Sequence, residues 1–126
     1  MTDTVREEIN ELLAPMLKMT LYVGLSKAVA SSEEMLPFVA EHLRYMNALE
    51  QKGLLFASGP FVQDGVLVGD GLTILRAASL EHAQELMEDE PLIKRRMRSF
   101  ELRKWELREG RIVVQLDASR SQFTLT

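Results

Sequence analysis

Cysteine is absent from the 126-residue sequence, and histidine occurs only twice. Without cysteine the chain has no disulfide, no thiolate nucleophile and no cysteine-ligated zinc or iron–sulfur site. The two histidines, His42 and His82, lie far apart, and neither belongs to an HExxH-type motif. The glycines form neither a GxGxxG motif nor a Walker loop. The sequence therefore predicts no metal and no organic cofactor.

An excess of positive charge is also missing. Fifteen Lys and Arg residues face 19 Asp and Glu residues, so the formal net charge is -4. Nucleic-acid-binding domains normally carry a basic excess on one face. No apolar run approaches the ~18 residues that span a bilayer, and the acidic start of the chain lacks the apolar core of a signal peptide. We therefore expect a cytoplasmic protein that binds neither nucleic acid nor membrane.

The remaining composition is that of an ordinary folded domain, with 46% hydrophobic and 27% charged residues. This length suits one domain whose core needs no covalent staple. We expect a helical extension over residues 1–17, the main domain over residues 18–110, and a C-terminal strand and tail over residues 111–126. The helix of the extension is predicted from Asp3 to Leu17 with Thr4 as its cap.

Four strands and two helices alternate within the main domain. Apolar residues at period two predict strands at Lys18–Leu25, Leu54–Phe61, Leu72–Ala77 and Arg98–Leu107. Helical spacing predicts one helix capped by Ser32 and running to Lys52, with the apolar stripe Met35, Val39, Leu43, Met46 and Leu49. Ser79 caps the second, and Pro91 ends it or begins a further turn. The order β-α-β-β-α-β predicts an α+β, ferredoxin-like antiparallel sheet with two helices on one face.

Turn residues set the expected limits of the strands. Gly59-Pro60 is expected to end the second strand, while Asp64-Gly65 and Gly69–Gly71 mark a loop or a hairpin. A fifth strand is predicted at Ile112–Leu116, and the tail after Asp117 is expected to order only against a neighbour.

The sheet carries more apolar surface than two helices on one face can cover. Tyr22, Phe56, Phe61, Phe100 and Trp105 cannot all point toward those helices. The simplest cover for the second face is the sheet of another copy of the chain. We therefore expect a homodimer.

Four segments, taken together and in order, resemble the YCII-related family. They are Glu41–Tyr45, Gly53–Pro60, Gly71–Ala77 and Ala83–Pro91. The resemblance extends over about residues 18–110 and implies a dimeric α+β barrel. None of the four segments is specific alone, but the set is.

The resemblance also implies a site. In the family, a His and the Asp of an Asp-Pro pair are regarded as the active site. These positions match His42 and Glu90, so this chain has Glu-Pro where the family usually has Asp-Pro. Asp89 is the alternative acid. One member of the family resembles a lyase that removes chloride from a chlorinated hydroxyquinol, and many others have no assigned activity.

An imidazole beside a carboxylate can take up or deliver a proton, as an elimination or isomerisation requires. The alternatives are a histidine at the edge of the core that bonds to a backbone carbonyl, and a solvated acid in the run Glu88–Glu90. Five further residues are candidates for substrate binding: Ser58, Gly59 and Pro60 in one turn, Arg98 through its guanidinium, and Tyr22, which could line an apolar cavity. The ordinary explanation is a turn that ends the strand for Ser58-Gly59-Pro60, a solvated basic face for Arg98, and packing in the core for Tyr22.

Three functions follow from these residues. The first is a lyase or isomerase that acts on a small cyclic or aromatic compound, with His42 as general base or acid, Glu90 orienting it, and Ser58 and Arg98 contacting polar substrate groups. The second is a non-catalytic module that binds a small molecule on the same dimeric scaffold. The third, a cofactor-free monooxygenase, depends on fold analogy alone.

Overall fold

A computed structural model describes residues 2–125, without the side chains at positions 123 and 125. The helices are α1 (Asp3–Leu13), α2 (Ser32–Met35), α3 (Val39–Gln51), α4 (Leu80–Glu88) and α5 (Pro91–Lys94), and a 3₁₀ turn over Leu36–Phe38 joins α2 to α3. The strands are β1 (Met19–Ala28), β2 (Leu55–Gln63), β3 (Val66–Leu75), β4 (Arg98–Leu107), β5 (Val114–Asp117) and β6 (Gln122–Leu125). The chain divides into a main unit, Thr20–Glu106, and a terminal unit of residues 2–19 and 107–125.

The main unit is built on a four-stranded sheet with the order β2-β3-β1-β4. β3 pairs antiparallel with both β2 and β1. This order, with helices inserted after β1 and after β3, is the split βαβ arrangement. The predicted ferredoxin-like α+β class is thereby confirmed.

Helices α3 and α4 cover one face of this sheet. Their buried residues, Met46 and Leu49 from α3 and Ala83 and Met87 from α4, pack with two residues of the central strands, Tyr22 and Leu75. Tyr22 and Leu75 are register partners and therefore share a face. The space beside this cluster is where the candidate site lies.

The path from β1 into α3 differs from the predicted single helix. The N-cap is Ser31 instead of Ser32, and it forms a capping box with Glu34. Pro37 lacks a backbone N–H, so the chain leaves the α-helical path after Met35, passes through the 3₁₀ turn and resumes as α3. The first helix likewise begins from Thr2, not Thr4, and ends at Leu13.

Strands β2 and β3 form a longer hairpin than the sequence predicts. β2 continues through Gly59-Pro60 because it is an edge strand, where a proline interrupts no ladder on its free side, and because a register shift follows Pro60. Asp64 and Gly65 both have positive φ, as a two-residue hairpin turn requires. The predicted turn at Gly65 is confirmed, whereas the break predicted at Gly69–Gly71 is wrong, because those residues lie within β3.

In the terminal unit, β5 and β6 pair antiparallel as a hairpin. The expectation that the tail after Asp117 orders only against a neighbour is therefore wrong. The single strand predicted at residues 112–116 lies two residues later, at Val114–Asp117.

Leu75 offers a test of the core. It is completely buried in β3, whereas Leu80 at the start of α4 is 50% exposed. Leu75→Ala is expected to lower the free energy of unfolding by about 2–5 kcal/mol, because it leaves a cavity in a close-packed cluster. Leu80→Ala should change it by less than about 1 kcal/mol. Urea unfolding followed by circular dichroism measures both, and equal effects would contradict this core.

Candidate functional site

The inward face of α3 carries His42. His42, Tyr45, Met46 and Leu49 follow one another at helical spacing, and the last two are buried. The predicted stripe through Leu43 is wrong in its middle turn, since Leu43 is 53% exposed. His42 takes the inward position there, with 18% of its side chain exposed.

Glu90 reaches the same region from the opposite side as the N-cap of α5. Its backbone is extended, as expected for a residue before proline, and Pro91 occupies the first helical position, where no N–H is needed. Its Oε1 accepts from the backbone N–H of Leu92, and its Oε2 accepts from that of Ile93. Glu90 is therefore held at both carboxylate oxygens, and it is 5% exposed.

The structure brings His42 and Glu90 into direct contact. Nδ1 of His42 and Oε1 of Glu90 are 2.5 Å apart. An ionised carboxylate only accepts, so Nδ1 carries the proton and Nε2 is left to exchange one. Asp89, the alternative acid, is exposed. The pair thus consists of His42 and the glutamate directly before Pro91.

Two opposing effects act on the Glu90 carboxyl. Burial alone would raise its pKa, but the hydrogen bond from His42 and those from the backbone of Leu92 and Ile93 outweigh burial. The pKa of Glu90 therefore lies below its ordinary value of 4.5. At neutral pH the carboxylate is charged and available to the imidazole.

Tyr45 lies one turn beyond His42. Its hydroxyl donates to the backbone carbonyl of Leu86 at 2.6 Å. Burial, followed by the negative charges of Asp89 and Glu90, raises the pKa of Tyr45 to about 12. Tyr45 is therefore a neutral phenol that ties α3 to α4 beside the pair.

Two hollows meet at His42. The inner one has a volume of about 20 Å³, room for one water-sized group, and His42, Glu90, Ser26, Thr73 and Arg98 are among its lining residues. The outer groove has about 650 Å³ and lies between the α2–α3 segment and the β2–β3 hairpin. That volume falls within the usual range for a small-molecule site. His42, Ser26, Thr73 and Arg98 line both hollows.

The other predicted site residues fall in different places. Ser58, Gly59 and Pro60 line the outer groove, and Arg98 lines both hollows. Tyr22 is buried in the core cluster and is not among the lining residues of either hollow.

Sequence reasoning missed Ser26 and Thr73. The predicted first strand stopped at Leu25, one residue short of Ser26. The available signal was the period-two series Tyr22, Gly24, Ser26, in which small and polar residues succeed a core aromatic on one face. Within residues 2–125, no cluster of three or more His, Asp or Glu side chains is placed to hold a metal ion. No helix in this range is long and apolar enough to cross a membrane.

The structure is therefore a small α+β domain in which a largely buried His–carboxylate pair lies beside an open groove. The sequence profile of the YCII-related domain matches residues 19–106, and the chain belongs to that family. No curated protein matches the chain.

A similar solved structure is the 5-chloro-2-hydroxyhydroquinone dehydrochlorinase (TftG) from Burkholderia phenoliruptrix AC1100, in complex with 2,5-dihydroxybenzoquinone. The TM-score is 0.59 at 20% identity, and the match covers 68% of this chain and 92% of that one. At this identity the likeness concerns the fold.

The lowered pKa of Glu90 makes the stability of the protein depend on pH. A carboxyl whose pKa is lower in the folded state stabilises the fold above its unfolded value of 4.5, and this contribution is lost as pH falls through the folded pKa. Glu90→Gln should therefore lower the free energy of unfolding at neutral pH by about 1–3 kcal/mol, and the difference from wild type should shrink as pH falls below 4.5 and through the lower pKa of the folded state. Denaturant unfolding across that pH range measures it. The control is Glu85→Gln, an exposed acid of α4, and a difference that stays constant with pH would contradict the assignment.

Proposed function

We propose that the protein is a cofactor-independent enzyme that moves a proton on a small cyclic or aromatic compound, in an elimination or an isomerisation. The observation that carries the proposal is the 2.5 Å contact between Nδ1 of His42 and Oε1 of Glu90 at the junction of two hollows. A contact of this kind fixes the imidazole tautomer and leaves Nε2 free to act.

His42 is the general base in this proposal. Nε2 takes a proton from the substrate, and the charge of Glu90 stabilises the imidazolium that forms. In an elimination, the electron pair of the broken C–H bond expels a leaving group from the neighbouring carbon. In an isomerisation, Nε2 returns the proton at another carbon. Neither route needs a metal or a redox partner.

The outer groove supports a ring compound as the substrate. Its wall includes three exposed leucines, Leu36, Leu43 and Leu67. A flat apolar ring could lie against such a wall while its polar substituents reach His42. The structurally similar dehydrochlorinase acts on a hydroxylated aromatic ring and holds a quinone, which agrees with this class of substrate. Ser58, Gly59 and Pro60 lie along the groove and would contact the same ring.

One observation favours a second candidate, a module that binds such a compound without turning it over. Glu90 also caps α5, so its contact with His42 stabilises the fold whether or not a reaction takes place. The two candidates differ in what the loss of the His42 imidazole does. A catalyst loses turnover, whereas a binding module loses only affinity.

Solvent deuterium uptake distinguishes these candidates. Wild-type protein is expected to catalyse proton–deuterium exchange, or halide release, on members of a panel of cyclic ketones, quinols and halogenated phenols followed by NMR. His42→Asn should slow the reaction by about 100-fold or more, and Glu90→Gln by about 10- to 100-fold. His82→Asn is the matched control, since His82 bonds to the backbone of Ala78 outside the site. Equal rates for wild type and His42→Asn would sink the proposal, and binding without exchange would favour the second candidate.

We also propose that the main domain, residues 18–110, forms a homodimer through the sheet face opposite the helices. Val23 pairs with Ile74 and Leu25 with Leu72, so these four apolar side chains share that face. All four are partly or substantially exposed within one chain. Burying such a patch against a second copy would remove apolar surface from water.

Sedimentation equilibrium tests the dimer. The expected mass is about twice the 14.3 kDa of one chain. Ile74→Lys should shift the protein toward monomer, because the charge would have to be buried unpaired in the interface. Glu85→Lys, an exposed change on α4 and therefore on the opposite side of the sheet, is the control. A wild-type monomer at micromolar concentration would contradict the proposal.

A further inference from the structure

Each of the four strands contributes one polar residue to the walls of the outer groove. They are Ser58 from β2, Thr73 from β3, Ser26 from β1 and Arg98 from β4. Ser58 is the register partner of Thr73, and Ser26 lies two residues from Gly24, the partner of Thr73 on β1. Ser58, Thr73 and Ser26 therefore share one face of the sheet, and together with Arg98, which lines the same groove, they form what we call the polar row.

The neighbouring row on the same face is apolar. Leu55 and Tyr22 are both register partners of Leu75, and all three belong to the core or pack against it. The polar row begins where this packing ends. An interior face normally continues as apolar, so a polar row there indicates a surface arranged for a polar ligand.

The Nε–H donor of Arg98 is buried without a hydrogen-bond acceptor within residues 2–125. A guanidinium is charged at every physiological pH, and buried donors are normally paired. Here the unpaired donor belongs to a side chain that lines the inner hollow with His42. A ligand oxygen is the acceptor that would satisfy it.

Two hydroxyls complete the donors around this hollow. Ser26 is buried, and its Oγ donates to the carbonyl of Gly71 at 3.4 Å, a long and therefore weak hydrogen bond. Thr73 lines the same hollow and is partly exposed. Both hydroxyls can turn toward an oxygen placed between them and Arg98.

The size and charge of the inner hollow limit its occupant. It accepts one water-sized group, and the ring to which that group belongs would remain in the outer groove. Arg98 contributes a positive charge, Glu90 a negative one, and the phenol of Tyr45 is neutral. Arg98 and Glu90 therefore balance each other, and the charge of a ligand oxygen is balanced once His42 has taken up the proton of the substrate as an imidazolium.

We propose that Ser26, Thr73 and Arg98 form an oxyanion site, which binds a ring oxygen of the substrate as phenolate or enolate. This deepens the proposed function and rests on it for the role of His42. As Nε2 of His42 removes a proton, the electron pair moves onto the ring oxygen, where the three donors stabilise it. The pair then returns to expel the leaving group, or to accept a proton at a second carbon. The substrates are small rings with an acidic hydroxyl or an enolisable carbonyl.

Binding of 4-nitrophenol tests the oxyanion site without requiring turnover, because its anion and neutral forms absorb differently. Wild-type protein should bind the phenolate at least about tenfold more tightly than neutral 4-nitroanisole. Arg98→Gln should abolish that preference, and Ser26→Ala and Thr73→Val should each reduce it by about threefold to tenfold. Arg103→Gln, an exposed arginine of the same strand, is the matched control and should retain it.

Two further variants distinguish a failure of the oxyanion site from a misfolded protein and from a failure of the proposed function. Arg98→Lys retains the charge but loses the planar fork, so it should show an intermediate preference if Arg98→Gln does not fold. His42→Asn should still prefer the phenolate. If wild type shows this preference but catalyses no exchange, the proposed function fails and the oxyanion site stands. The oxyanion site is overturned if wild type shows no preference for the phenolate, if Arg98→Gln retains it, or if benzoate binds more tightly than 4-nitrophenolate.

Discussion

The Glu90 carboxylate is the group on which both the local fold and the site depend. It is buried, and it accepts hydrogen bonds from two backbone N–H groups of α5 and from the ring of His42. A buried charge is costly unless such donors surround it. The three donors come from the start of α5 and from α3, so the same hydrogen bonds that keep the carboxylate ionised also hold these two helices together. The His42–Glu90 pair is therefore part of the structural framework.

The hollow beside this pair results from how the helices cover the sheet. Met46, Leu49, Ala83 and Met87 pack on the row that contains Tyr22 and Leu75. The next row, with Ser26 and Thr73, offers little apolar surface for a helix to bury, so close packing stops there. Gly24, the register partner of Thr73 on β1, leaves its space to the Met87 side chain. A polar row next to a packed apolar row thus gives both a stable core and an open space at its edge.

The sequence predicted the elements of the sheet because period-two and helical patterns report burial directly. It did not predict the length of the β2–β3 hairpin, since Gly59-Pro60 ends a central strand but is tolerated at an edge, and edge position depends on the whole topology. His42 and Glu90 were identified by resemblance to a family. Periodicity alone assigned the inward position to Leu43, because hydrophobicity cannot reveal that an imidazole has a buried carboxylate as partner. Ser26 was missed because the predicted strand ended one residue before it, and Thr73 because a hydroxyl facing a cavity and one facing solvent have the same sequence signal.

The glutamate at position 90 shows what the pairing requires. The family usually has aspartate before this proline, and the extra methylene extends the side chain by about 1.5 Å. A longer side chain loses more rotamer freedom when it is held in one place. Here the N–H groups of Leu92 and Ile93 each bind one carboxylate oxygen and restrict it, while Oε1 still meets His42. Pro91 contributes by keeping Glu90 extended, which is the backbone shape of an N-cap. In this chain the contact with the imidazole is therefore made by a carboxylate that its N-cap position before proline holds in place.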